Sequence, residues 1–272
     1  MRVAMRRAAH QIVDQPKVLD DPLAMRIIGA EAAAAISSGT ADQGKSYSRY
    51  LRAFLVARSR FAEDELARAV ANGVRQFVLL GAGLDTFAYR NPHAGLKVFE
   101  VDHPATQAWK RECLRRAEIE IPKGVVFVPV DFERETLTEC LGRAGFKTDE
   151  KAFFAWLGVV PYLTESAFAG TMKFIAGMPR GSGVVFDYAV RKSELSLMER
   201  IALKALSARV AAAGEPFRLF FSSSQLTARL RAMRFERVED LGAAEINARF
   251  FRERADNLRV KGGLGRMVSA ET

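Results

Sequence analysis

The 272-residue chain is poor in cysteine and histidine and has no long apolar run. Its two cysteines, Cys113 and Cys140, fall in separate predicted helices with no metal-ligand spacing between them. That excludes a zinc module and a disulfide framework, and it leaves reduced thiols in a cytoplasmic protein as the expectation. No apolar stretch approaches the roughly 18 residues that a membrane span needs. The basic start, Met1 to Arg7, leads into neither an apolar h-region nor a small-residue cleavage site, so no secretory signal is expected. Internal repeats and low-complexity linkers are also missing. One elaborated α/β domain over residues 1–272 is therefore expected rather than two independent ones.

Charge is not scarce. The formal net charge is +9, which raises the possibility of a nucleic-acid partner. The cations are spread along the whole chain, however, and alternate with acids in stretches such as Arg58 to Arg68. There is no lysine block and no aromatic RNA-binding motif, so a polynucleotide partner is not expected. Attraction of an acidic small molecule is compatible with such a surface.

The informative stretch is Phe77-Val78-Leu79-Leu80-Gly81-Ala82-Gly83-Leu84-Asp85-Thr86. An apolar run that ends in two glycines reads as a buried parallel strand closing in a tight turn. Thr86 to Arg90 is predicted to open the following helix, which would make this the first βα unit of a nucleotide-binding sheet. A dinucleotide fingerprint would place a third glycine where Thr86 stands, and Asp85 would set a carboxylate against a pyrophosphate. S-adenosylmethionine carries an adenosine but no phosphate, and its cationic centres tolerate that carboxylate. The turn therefore favours this cofactor over NAD.

Residues 1–72 read as a helical cap, with helices over Leu23 to Ile28, Glu31 to Ile36 and Tyr47 to Ala71 and Asp20 or Asp21 capping the first. From 73 to 190 strands and helices alternate as a cofactor-binding core. Strands are predicted over Lys97 to Asp102, Val125 to Val130, Ala152 to Val160 and Gly183 to Tyr188, with a helix over Pro104 to Ala117. A helical insertion over an acceptor site occupies 191–221, with its helix at Ser193 to Ala213. Residues 222–272 complete the sheet with a helix over Gln225 to Met233, capped by Ser222 to Ser224, and strands over Glu236 to Leu241 and Arg266 to Ser269. The expected fold class is α/β, a seven-stranded, mostly parallel sheet with helices on both faces.

In such a sheet ligands lie across the carboxyl ends of the strands. Asp85 follows the first strand there, Glu100 and Asp102 end the second, and Asp131 with Phe132 ends the third. Asp102 lies 19 residues beyond Gly83, the spacing at which an acid meets ribose hydroxyls. Glu100 projects to the same face of its strand. Asp131 and Phe132 are placed to address the adenine amino group and ring.

The segments VLLGAGLDTFAYR at 78–90, VFEVDHP at 98–104 and PVDFE at 129–133 resemble the leucine carboxyl methyltransferase-like family, in particular its bacterial branch of S-adenosylmethionine-dependent O-methyltransferases, some linked to polyketide synthesis. DDPLA at 20–24, LVARSRFAED at 55–64, WLGVVPYLTESA at 156–167 and GEPF at 214–217 match in the same order. The resemblance implies a Rossmann-like class I methyltransferase that uses S-adenosylmethionine. It also implies that Gly81 lies against the cofactor, that Asp102 holds its ribose, and that Asp131 and Phe132 reach the adenine. Arg58 would bind the methionine carboxylate, with Arg6 or Arg7 as a second basic ligand. Better-studied members carry a glutamate where this chain has Leu157, so their substrates do not transfer to it.

No catalytic base stands out. His93 falls in a loop, His103 is placed to order the turn after the second strand, and His10, in the cap, is the histidine to test on the acceptor side. A carboxylate acceptor is already ionised and needs no base, whereas a hydroxyl usually does. O-methylation of a carboxylate or acidic hydroxyl on a small molecule is the expectation. Tyr162 and Phe217, Phe220 and Phe221 are candidates for an apolar acceptor pocket or for plain core packing. A binding protein without catalysis and a NAD-dependent oxidoreductase are the alternatives.

Overall fold

The computed structural model of the protein describes residues 1–39, 46–131, 134–211 and 216–272. The cap contributes α1 (Arg2–Val13), α2 (Ala24–Ile27), α3 (Ala30–Ser37) and the long α4 (Ser46–Ala71). Then follow β1 (Gln76–Leu80), β2 (Lys97–Asp102), α5 (Pro104–Arg116), β3 (Val125–Pro129), α6 (Leu137–Arg143) and β4 (Ala152–Trp156). The second half runs α7 (Glu165–Ala176), β5 (Gly183–Val190), α8 (Leu197–Ala211), β6 (Phe220–Phe221), α9 (Ser223–Ala232), β7 (Arg237–Leu241), α10 (Ala243–Phe250) and β8 (Gly265–Glu271).

The sheet order is β3-β2-β1-β4-β5-β8-β7, with the two-residue β6 pairing alongside β5. Strands β1 to β5 run parallel, and β8 is antiparallel to both neighbours. The seven long strands are those expected, and β6 makes the sheet eight-stranded. The alternation of side chains explains the unbroken apolar run in β1. Val78 and Leu80 join Phe99, Phe154 and Phe186 in the core under α7 and α9, while Phe77 and Leu79 pack with Phe153, Val185 and the Phe61 face of α4. Both faces are covered, so both registers of the strand must be apolar. The cap helices α1 to α3 form a third cluster with Leu84 of the glycine turn and Leu114 of α5.

Two of the differences from the sequence reading bear on the site. The helix expected at Thr86 to Arg90 is a single 3-10 turn, Phe87–Tyr89, so β1 reaches β2 without an α-helix. Leu84 and Phe87 are drawn into two different buried clusters, and that anchoring ends the turn before an α-helix can propagate. The fourth strand stops at Trp156 rather than Val160, because Gly158 adopts φ +74° and turns the chain into a second 3-10 turn at Val160–Tyr162.

Candidate active site

The turn after β1 is held from the neighbouring strand. The N–H groups of Gly81 and Ala82 both donate to the Val101 carbonyl, at 2.9 and 3.1 Å. Gly83 donates its N–H to Asp102 Oδ2 at 2.6 Å, and His103 donates its own to Asp102 Oδ1 at 2.7 Å. Asp102 is thereby locked beside the glycines, and its half-exposed carboxylate keeps lone pairs for further donors. Gly81 has φ +70°, and a Cβ there would sit 2.4 Å from Val159 Cγ2. Only a glycine lets the turn lie this close to the loop after β4. Register carries the edge onward: Asp102 is level with Pro129, so Asp131 stands just past the end of the adjacent strand. Phe132 lies outside the described residues.

Arg58, on α4, is buried beneath the loop after β4. Its Nη1 donates to Asp187 Oδ2 at 2.9 Å, and Asp187 Oδ1 accepts the Gly158 N–H at 2.6 Å. A Cβ at Gly158 would lie 2.8 Å from Arg58 Nη2, so this glycine lets backbone rest on the guanidinium. Arg58 Nε is buried and has no hydrogen-bond partner. A guanidinium with a buried, unmet donor fits an anionic group supplied from outside the chain.

Arg7 and Asp85 organise the opposite wall of the turn. Arg7 donates to Asp85 Oδ2 at 2.9 Å, Asp21 Oδ2 at 3.0 Å, Thr86 Oγ1 at 3.1 Å and the Leu84 carbonyl at 3.2 Å. Asp21 also accepts from Thr86 Oγ1 at 2.6 Å, and Arg90 bridges to Glu63 of α4. Asp85 Oδ1 caps the Phe87 N–H at 2.8 Å. Burial acts to raise the Asp85 pKa, but Arg7, Lys110 and the Phe87 N–H outweigh it and hold the carboxyl below its ordinary range. Both Asp85 oxygens are thus engaged by the chain. These contacts give it a place in the scaffold of the turn, with its side chain 19% exposed.

At Glu100 burial corrects the ligand role expected from sequence. The residue is fully buried and receives Lys110 Nζ at 2.7 Å and the Tyr89 hydroxyl at 2.8 Å. A carboxylate in that position needs both partners to offset its lost hydration. Burial pushes its pKa up, and Lys110 and Tyr89 oppose the shift. Glu100 ties β2 to α5, while Asp102, two residues on, reaches the sheet edge.

The histidines are committed elsewhere. His10 is fully buried; its Nε2 accepts the N–H groups of Val18 and Leu19, at 2.9 and 3.3 Å, leaving Nδ1 to donate to Asp14 at 2.8 Å. This removes the acceptor-side role expected for it. His103 caps α5 by accepting the Ala105 N–H at 3.2 Å, as its position in the sequence suggested. His93 lines a concavity of about 370 Å³ with Lys97 and Val125, at the amino-terminal ends of β2 and β3 and away from the glycine turn. Phe221 is core, with its ring 4.8 Å from that of Phe168, whereas Phe217 pairs with Tyr162 at 5.2 Å beside the loop after β4. Sequence reasoning missed Asp187 and the part that Asp21 and Thr86 play with Arg7 in holding the turn. Asp187 did leave a signal, as the one charge within the apolar strand GVVFDYAV.

Among the described residues no cluster of His, Cys, Asp and Glu could hold a metal ion, and no helix is long and apolar enough to cross a membrane.

A parallel sheet with an antiparallel penultimate strand, a glycine turn after β1 and an acid ending β2 define a Rossmann-like methyltransferase fold. The chain belongs to the leucine carboxyl methyltransferase family, whose model matches residues 1–176. It is 32% identical over 278 residues to YktD of Bacillus subtilis strain 168, named as a candidate S-adenosyl-L-methionine-dependent methyltransferase, covering 94% of this chain and 91% of that protein. A similarly named protein of Mycobacteroides abscessus is 33% identical over 207 residues, 74% of this chain and 66% of its own length. Among solved structures, a candidate methyltransferase from Thermobifida fusca superposes with a TM-score of 0.56 at 15% identity, covering 98% of this chain and 94% of that one. Magnesium protoporphyrin IX methyltransferase from Synechocystis, solved with SAH bound, gives a TM-score of 0.50 at 12% identity, with 90% of each chain covered. At those identities the likeness speaks to the fold alone.

Proposed function

We propose that the protein is an S-adenosyl-L-methionine-dependent methyltransferase that transfers its methyl group to an oxygen, a carboxylate or acidic hydroxyl, of a small molecule. The observation that carries this reading is the constellation at the sheet edge. An acid is locked beside a glycine turn, and an arginine with a buried, unpartnered donor lies under the neighbouring loop. The residues fit the cofactor group by group. Asp102 would accept from the ribose hydroxyls, Asp131 from the adenine amino group, and Arg58 would meet the methionine carboxylate. Gly81 and Gly83 would let backbone approach the ligand, and Phe132 is proposed for the adenine ring on its place in the sequence. Bound S-adenosylmethionine supplies a methyl carbon already activated by the sulfonium sulfur.

The chain's task is then alignment and exclusion of water. Arg7, Asp21 and Thr86 fix the turn, and the Arg58–Asp187 pair fixes the loop that carries Val159 and Tyr162. The histidines support the finer choice of acceptor. His10 is spent on structure, His103 on capping, and His93 lies at the far end of the sheet, so an acceptor that arrives ionised suits the site.

Calorimetric titration with S-adenosylmethionine, S-adenosylhomocysteine and NAD tests the cofactor. Binding of the first two, weakened in Arg58→Ala, is the expected result; binding of NAD alone would refute it. A base-labile methylated product marks a carboxylate acceptor, and a base-stable one marks a hydroxyl.

A further inference from the structure

Helix α8 has apolar residues on two opposite sides. Leu203, 1% exposed, faces the core. At roughly 100° per residue, Leu197, Ile201 and Ala205 fall on the side turned away from it, and Met198 flanks them. Leu197 and Met198 are each 73% exposed and Ile201 is 57% exposed, the three most exposed large apolar side chains among the described residues. Burial against this protein explains only the Leu203 side. Arg200 and Lys204 border the outer strip; both are exposed, and neither pairs with a carboxylate among the described residues.

We propose that α8 docks the protein on an anionic lipid surface, with Leu197, Met198 and Ile201 entering the headgroup–acyl boundary and Arg200 and Lys204 contacting lipid phosphates. An apolar strip edged by cations on one helix face matches the layering of such an interface, with hydrocarbon below and negative charge at the rim. A second copy of the chain fits poorly. An isologous contact across this ridge would bring Arg200 and Lys204 toward their own duplicates, and three side chains fall well short of the roughly 800 Å² per partner of a stable interface. The net charge of +9 acts in the same direction as the local cations. The helix follows β5 at its carboxyl end, the end of the sheet where Gly158 and Asp187 meet. Docking would therefore set the acceptor side near the bilayer and favour an acid with an apolar tail. That consequence rests on the methyl transfer proposed above, whereas the docking does not.

The test is co-sedimentation of the full chain with vesicles of phosphatidylcholine alone or with about 30 mol% phosphatidylglycerol, at low and at high salt. The wild type is expected to partition onto the anionic vesicles and to retain part of that binding in high salt. Leu197→Ser, Met198→Ser and Ile201→Ser combined should lower partition by tenfold or more. The melting temperature and S-adenosylhomocysteine affinity should stay unchanged, because all three side chains are already in water. Arg200→Gln with Lys204→Gln should lower partition about 30-fold at low salt. The proposal is overturned if the wild type ignores anionic vesicles, or if the serine variant binds them as tightly as wild type, which would reduce the effect to net charge. It is equally overturned if the apolar strip instead proves to drive self-association in sedimentation velocity.

Discussion

Replacing Asp102 with asparagine separates the site from the fold that carries it. The carboxylate receives Gly83 N–H at 2.6 Å and His103 N–H at 2.7 Å, one on each oxygen. An amide offers one oxygen, so its NH2 group must face one of those N–H donors or turn away. Two consequences follow. The turn loses one backbone anchor, a cost of about 1–3 kcal/mol in stability. The ribose hydroxyls lose a charged acceptor, and the difference between charged and neutral hydrogen bonds makes this worth about 1–3 kcal/mol of affinity. At 1.36 kcal/mol per decade, S-adenosylhomocysteine should bind about 5- to 150-fold more weakly. Calorimetry reads the dissociation constant, and thermal unfolding without ligand reads the stability term separately. The two are also linked: ligand at 100 times its dissociation constant stabilises the wild type by about 2.7 kcal/mol. The same concentration should stabilise the variant by about 0.3–1.8 kcal/mol. A dissociation constant within about twofold of wild type, with the variant folded, would refute the assignment of Asp102 to the ribose.

Gly81→Ala places a methyl 2.4 Å from Val159 Cγ2 at φ +70°, and should cost about 1–3 kcal/mol in denaturant unfolding. Val159→Ala in the same chain should restore part of the loss by removing the clash while leaving the backbone strain. Glu100→Gln leaves Lys110 buried without its counter-charge and should destabilise by about 3–5 kcal/mol. Adding Lys110→Met should recover stability, an outcome that a direct cofactor role for Glu100 would not produce. Asp14 lies against Arg52 and His10. Burial acts to raise its pKa, but the hydrogen bonds from those two partners prevail and bring it to about 2. Its folded pKa is depressed, so its contribution is complete above the unfolded carboxyl range and is lost as pH falls toward 2. Asp14→Asn should flatten the acid limb of the stability–pH curve in that window, and an unchanged limb would count against the pairing.

Covalent sequence was enough for the frame and for the strand ends on which the proposed site stands. The strand run ending at Gly81, the acid at Asp102 and the acid at Asp131 are local signals. Each rests on an apolar run, a glycine that permits positive φ, or a fixed spacing along one strand, and a linear reading captures such relations. The roles of the charged groups were not local. Asp85 and Glu100 sit in the sequence as plainly as Asp102, yet the fold brings Arg7 from α1 onto Asp85 and Lys110 from α5 onto Glu100. Among the described residues Asp102 receives backbone N–H groups alone. Which of three similar carboxylates is paired with a cation depends on which distant helix the fold brings against it. The same holds for His10, whose two ring nitrogens are taken by Asp14 and by the backbone at Val18 and Leu19. It holds also for Arg58, whose partner Asp187 is 129 residues away. Burial makes an unpaired charge costly, so packing decides which charged groups become structure and which are left for a ligand.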